Sequence, residues 1–157
     1  MNNSKIALSI LFLLLAIVLG KFLTLAITHW RDNHFECDAT LVVKKENSTL
    51  SVVITYFMNK DHGISVLKGE LVKDGQIYSV SRKSHFLFEK SQNLTYVKST
   101  LAVDTPGDNA PLEELKKLLP LFYLQSNIQM EFGIYAQGWN GYIFTTGYVP
   151  SFYCRRN

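Results

Sequence analysis

Two cysteines, four histidines and one adjacent acidic pair are the side chains that could do redox, metal or acid–base chemistry in this sequence. Cys37 and Cys154 stand far apart, and neither lies in a C-x-x-C motif, so a thioredoxin-like redox site has no support. An even count in an exported chain points instead to one structural disulfide. Its long loop would contribute on the order of 4 to 5 kcal/mol in the chain-entropy model. Two unpaired buried thiols are the other reading. His29, His34, His62 and His85 form no known ligand spacing, and each falls at an expected membrane edge, turn or strand end. They read as surface histidines, because a zinc site needs three or four converging ligands. Glu113 and Glu114 diverge by about 100 degrees on a helix and cannot flank one substrate together. The sequence also contains no G-x-S-x-G elbow, P-loop or H-E-x-x-H helix. No catalytic residue, metal or cofactor is assigned, and an enzyme is not expected.

Aromatic residues are the stronger signal. Phe132, Tyr135, Trp139, Tyr142, Phe144 and Tyr148 crowd the last part of the chain, where they could line an apolar ligand pocket or meet another chain. The bland alternative is that aromatics favour strands and fill cores. Alternation puts Tyr142, Phe144 and Tyr148 on one face and Ile143, Thr145 and Val149 on the other. Both faces of that strand are therefore partly apolar, and an exposed face of Tyr142, Phe144 and Tyr148 is the expected contact surface.

The elements that must position these residues begin with a nearly unbroken apolar run over residues 6–27. About 20 apolar helical residues span a bilayer, so this run reads as an uncleaved single-pass anchor. The expected layout is a cytoplasmic tail at 1–5, a transmembrane helix at 6–28 and a periplasmic domain at 29–157 of a bacterial inner-membrane protein. Lys5 precedes the run, while Arg31 beyond it is followed by Asp32, Glu36 and Asp38, which keeps the amino end inside. A tail of five residues could signal only through a partner. A cleaved signal peptide is the rival, since Val18-Leu19-Gly20 offers small residues near a cleavage spacing, but apolar residues resume at Phe22. Lys21 within the run either snorkels to the headgroups or pairs with a polar group on a partner's membrane helix.

Lys and Arg total 16 against 13 Asp and Glu; setting aside Lys5 and Lys21 leaves 14 against 13. A nearly neutral exported domain has no broad basic face for phosphates, which argues against direct nucleic-acid binding. Its dominant rhythm is alternation of period two, as in Phe35, Cys37, Ala39, Leu41 and Val43. Strands are expected at residues 35–43, 50–58, 64–73, 76–81, 84–90, 94–103, 128–136 and 142–149, and Asp74-Gly75 is the clearest hairpin turn. Between Pro111 and Pro120, Leu112, Leu115, Leu118 and Leu119 share a helical stripe. Seven or eight strands with one short helix predict a mainly β domain: an antiparallel β-barrel or curved sheet with the helix over an open end. A Cys37–Cys154 bridge would fasten the first strand to the tail after the last.

One membrane helix with Leu-rich residues 10–15, a small β-rich exported domain and widely spaced Cys37 and Cys154 together resemble the FidL-like membrane proteins of enteric bacteria. That family is similar in layout to ToxS and VtrC, the small periplasmic partners of ToxR-type membrane-bound transcription regulators. In the VtrC type, the small protein and the regulator's periplasmic domain form a lipocalin-like barrel with a chamber for bile salts. The resemblance therefore implies a non-enzymatic co-sensor that pairs with a membrane-bound transcription regulator. The alternative is a stand-alone anchored binder of an apolar small molecule such as a bile salt or fatty acid.

Overall fold

The computed structural model describes residues 3–91, 94–146 and 149–157. Two compact units divide the chain, Met1–Asn33 and His34–Asn157. The first is a single helix, α1 (Asn3–Asn33), so helix continues past the expected limit at residue 28. Its stretch Leu8–Arg31 is long and apolar enough to cross a membrane, a test that a signal sequence also passes.

The second unit is a nearly closed nine-stranded antiparallel barrel. Five strands form a meander: β1 (His34–Lys45), β2 (Ser48–Asn59), β3 (His62–Lys73), β4 (Gln76–Ser91) and β5 (Leu94–Asp104). A helix, α2 (Leu112–Leu118), and a single 3-10 turn (Leu121–Tyr123) follow. The chain then returns to the sheet as β6 (Gln129–Glu131), β7 (Gly133–Gln137), β8 (Gly141–Thr146) and β9 (Val149–Arg156). The order around the sheet is β6-β5-β4-β3-β2-β1-β9-β8-β7. Strands that neighbour in sequence thus neighbour in space, β9 closes back onto β1, and among the described residues only the consecutive strands β6 and β7 fail to pair.

Turn chemistry fixes the registers. Asp74 and Gly75 both have positive φ, 49° and 79°, as the two-residue turn between β3 and β4 requires. The inward residues of the meander, including Leu50, Ile54, Leu67, Leu71, Val80 and Val97, are buried. Their alternation is the period-two pattern of the sequence. A barrel of this size encloses only enough room for side chains, and the segment after β5 supplies many of them. Leu115, Leu118, Leu119, Phe122, Tyr123 and Leu124 all join the core. The one short helix expected is present, contributing Leu115 and Leu118 to the core, and the 3-10 turn after it contributes Phe122 and Tyr123.

Polar bonds hold that segment in place. Arg82 is an inward-facing, buried residue of β4, and its Nε and Nη2 donate to the two carboxylate oxygens of Asp108, each at 3.1 Å. The Asp108 carboxylate also accepts from the backbone N–H of Ser81 at 2.8 Å and of Ala110 at 3.2 Å. On α2, Glu114 accepts from Lys73 of β3 at 2.6 Å and from Lys117 at 2.9 Å. The Lys73 bond first, then that of Lys117, holds the Glu114 carboxyl below the usual carboxylate range, and Glu114 in turn raises Lys73.

Three boundaries differ from the sequence expectation. Residues 76–81 and 84–90 are one strand, because Arg82 and Ser84 continue the inward alternation with partners inside: Asp108 for Arg82 and the Phe122 carbonyl for Ser84 Oγ at 3.2 Å. Residues 128–136 divide into β6 and β7 at Phe132, whose ring is buried. The final strand, β9, was expected only as a tail, yet it pairs with both β8 and β1.

Candidate functional site

β9 and β1 share only a short ladder, in which Cys37 pairs with Arg156 and Asp38 with Arg155. At that closure Cys37 and Cys154 are joined as a disulfide, with Sγ atoms 1.97 Å apart and Cα atoms 5.4 Å apart. Both are fully buried. The bridge fastens β7, β8 and β9 to the meander at the point where backbone pairing is thinnest.

Six terminal aromatics were read as a possible ligand pocket or partner surface, with core filling as the alternative; the structure divides them. Tyr142 and Phe144 are only 3% and 2% exposed, which corrects the expectation of an outward Tyr142–Phe144 face. Tyr142 stacks on Phe35 at 3.8 Å between ring centroids, with the Arg156 guanidinium carbon 5.9 Å from its ring. Phe144 stacks between Tyr56 at 4.7 Å and Phe152 at 4.9 Å. Phe132 is buried edge-on against Phe122 and Phe144. The small barrel takes the large rings inside, where each removes far more apolar area from water than an outward position would. Tyr148 lies outside the described residues. Lys21 lies in α1, where its carbonyl accepts the Thr24 hydroxyl at 2.9 Å.

Tyr135 and Trp139 do face out, 58% and 74% exposed. Register sets Tyr135 beside Ile143 and Ile143 beside Tyr153, a row across β7, β8 and β9. Tyr153 is itself 46% exposed, so the row is the outward apolar face that sequence parity assigned to the wrong residues. This row borders the seam. At the seam, among the described residues, β7 is bonded to β8 alone and β6 to β5 alone, so each presents an edge of backbone donors and acceptors. Such an edge can accept an added strand, and the aromatic row beside it supplies contact area.

Sequence reasoning missed a pair at the centre of the barrel. The hydroxyls of Tyr56 and Tyr123 lie 2.5 Å apart and fully buried. Burial first, then the neighbouring Tyr123, pushes Tyr56 well above the usual phenol range; burial likewise raises Tyr123. Among the described residues, no group of three or more His, Cys, Asp or Glu side chains is placed to hold a metal ion. His62 Nδ1 bonds Asp61 at 2.7 Å and His29 Nε2 meets the Asn33 amide at 3.2 Å, both as local pairs.

A family model described as the YqeJ C-terminal domain matches residues 34–154, the barrel from its first strand to its second cysteine. No curated protein matches this chain.

Proposed function

We propose that this chain, which belongs to the YqeJ C-terminal domain family, is a non-enzymatic accessory protein of the bacterial inner membrane. In this reading α1 is an uncleaved anchor with its amino end in the cytoplasm, and the barrel lies in the periplasm. The barrel pairs with the periplasmic domain of a ToxR-like membrane-bound transcription regulator and tunes it. The observation that carries the proposal is the seam: one break in an otherwise continuous ring of strands, with β7 unpaired on one side and Tyr135, Ile143 and Tyr153 outward beside it. Unpaired strand edges are templates for another chain. The FidL-like layout supports a regulator as that chain, and the intact disulfide suits an oxidising compartment.

The test is affinity purification of the native protein from membranes, with mass spectrometry of what accompanies it. A companion with an amino-terminal DNA-binding domain and one membrane span is the expected result. A protein that purifies alone, together with unchanged regulator levels in a deletion strain, would count against the proposal.

A further inference from the structure

A second feature is a groove whose lining joins outward residues of β2, β3 and β4 to the buried Met58 and Phe86. The groove, of about 320 Å³, opens near the β2–β3 turn, bedded on Phe57, Met58, Ile64, Phe86 and Leu87. His62, His85, Asn59 and Thr100 complete its lining. Two cross-strand rows build it. Phe57, Ile64, His85 and Leu101 lie side by side across β2 to β5, and at the rim His62, Leu87 and Lys98 do the same across β3 to β5.

The backbone is shaped to make this room. Register shifts between His85 and Phe86, leaving Thr100 as the extra residue of β5, and its hydroxyl donates to the His85 carbonyl at 3.2 Å. Bulges of this kind re-aim side chains and recur beside functional sites. Opposite the bulge, a Cβ on Gly63 would fall 2.1 Å from the buried Phe86 ring, so glycine makes room for that ring beside β3.

The groove is graded. Its inner row is apolar except for His85, while the rim adds His62, Asn59 and the neighbouring cations Lys60 and Lys98. Asp61 is already engaged by His62, and Glu36 lies beyond Phe57 on β1. A volume near the low end of the ~300–1,000 Å³ range of ligand sites suits one chain of modest length.

We propose that this groove binds a single-chain anionic amphiphile of the fatty-acid class. The acyl chain lies on Phe57, Ile64 and Leu87, and the anionic head sits at the rim beside His62 and Lys98. The site stands on the groove alone and does not depend on a partner at the seam.

The test uses the full chain in phosphatidylcholine nanodiscs with a diazirine-bearing dodecanoate as photo-reactive probe and peptide mapping of the adducts. Adducts should concentrate in residues 57–64 and 85–101, fall severalfold with unlabelled dodecanoate and fall much less with dodecanol. Ile64→Trp, which fills the groove, and Lys98→Glu, which reverses the rim charge, should each reduce labelling severalfold while thermal melts stay near the parent's. Replacing part of the lipid with phosphatidylglycerol separates one acyl chain from two. Unchanged labelling supports a single-chain amphiphile, and labelling suppressed as strongly as by unlabelled dodecanoate would overturn that assignment. Adducts confined to α1, groove adducts indifferent to both substitutions, or equal competition by dodecanol would overturn the proposal.

Discussion

Cys37 on β1 and Cys154 on β9 are bridged at the one place where the last strand of the barrel returns to the first, beside a ladder in register only at Cys37–Arg156 and Asp38–Arg155. The covalent bond therefore closes a ring whose hydrogen bonds alone close it weakly. It also holds β7 and its unpaired edge against the rest of the core.

Losing the bridge should cost accordingly. Cys37→Ala or Cys154→Ala is expected to lower unfolding free energy by roughly 2 to 5 kcal/mol in urea titrations. Alkylation of the untreated protein should find no free thiol. Two modified cysteines in the native protein would show that the ring closes without the bond.

The Tyr56–Tyr123 pair gives a second expectation. Tyr56→Phe leaves the buried Tyr123 hydroxyl without its partner and should cost about 1 to 3 kcal/mol. Replacing both by Phe should cost less than the sum of the single changes, since no lone hydroxyl then remains. Both phenols are raised in the folded state, so the unfolded chain loses these protons first as pH climbs. Stability from the pair is intact below about pH 10, the ordinary phenol value, and falls above it. Ultraviolet titration of the eight tyrosines should accordingly show Tyr56 and Tyr123 among those that ionise only as the barrel unfolds.

The tie between α2 and β3 sets a pH window. Glu114 is lowered when folded, so its contribution is present above about pH 4.3 and is lost as pH falls through its folded value. Lys73 is raised, so its share is present below about pH 10.4 and is lost as pH rises through its folded value. Glu114→Gln should lower the melting temperature at neutral pH and flatten its decline in acid. An acid limb identical to the parent's would remove Glu114 from the account.

For the anchor, fractionation should recover an uncleaved chain of 17.9 kDa in the inner membrane. A mature species beginning near Lys21 would instead make the apolar helix a signal sequence.

Alternation at Phe35, Cys37 and Ala39, the Asp74-Gly75 turn and the leucine stripe after Pro111 were enough to read a barrel with a helical cover. The places where the sequence misled share a cause: local pattern cannot see distant partners. Arg82 and Ser84 look like a break in a strand until Asp108 and the Phe122 carbonyl answer them from inside. Tyr142 and Ile143 are both apolar, so parity could not tell which faced in, and the narrow interior claimed the larger rings. The seam was invisible because nothing in the run from Gln129 to Gln137 marks Phe132 as the residue that turns inward and parts two strands. The groove was hidden too, since it depends on a bulge that only the β4–β5 register reveals.

The proposed docking of a regulator on the β7 edge can be tested by position-specific photo-crosslinking in intact cells. A photo-reactive phenylalanine replaces Tyr135 beside the seam or Ile77 on β4, an equally exposed control. Position 135 should give one discrete adduct, identified by mass spectrometry as a membrane-anchored protein with a DNA-binding domain, and position 77 none. No adduct at 135, or the same adduct in equal yield from both positions, would contradict that docking.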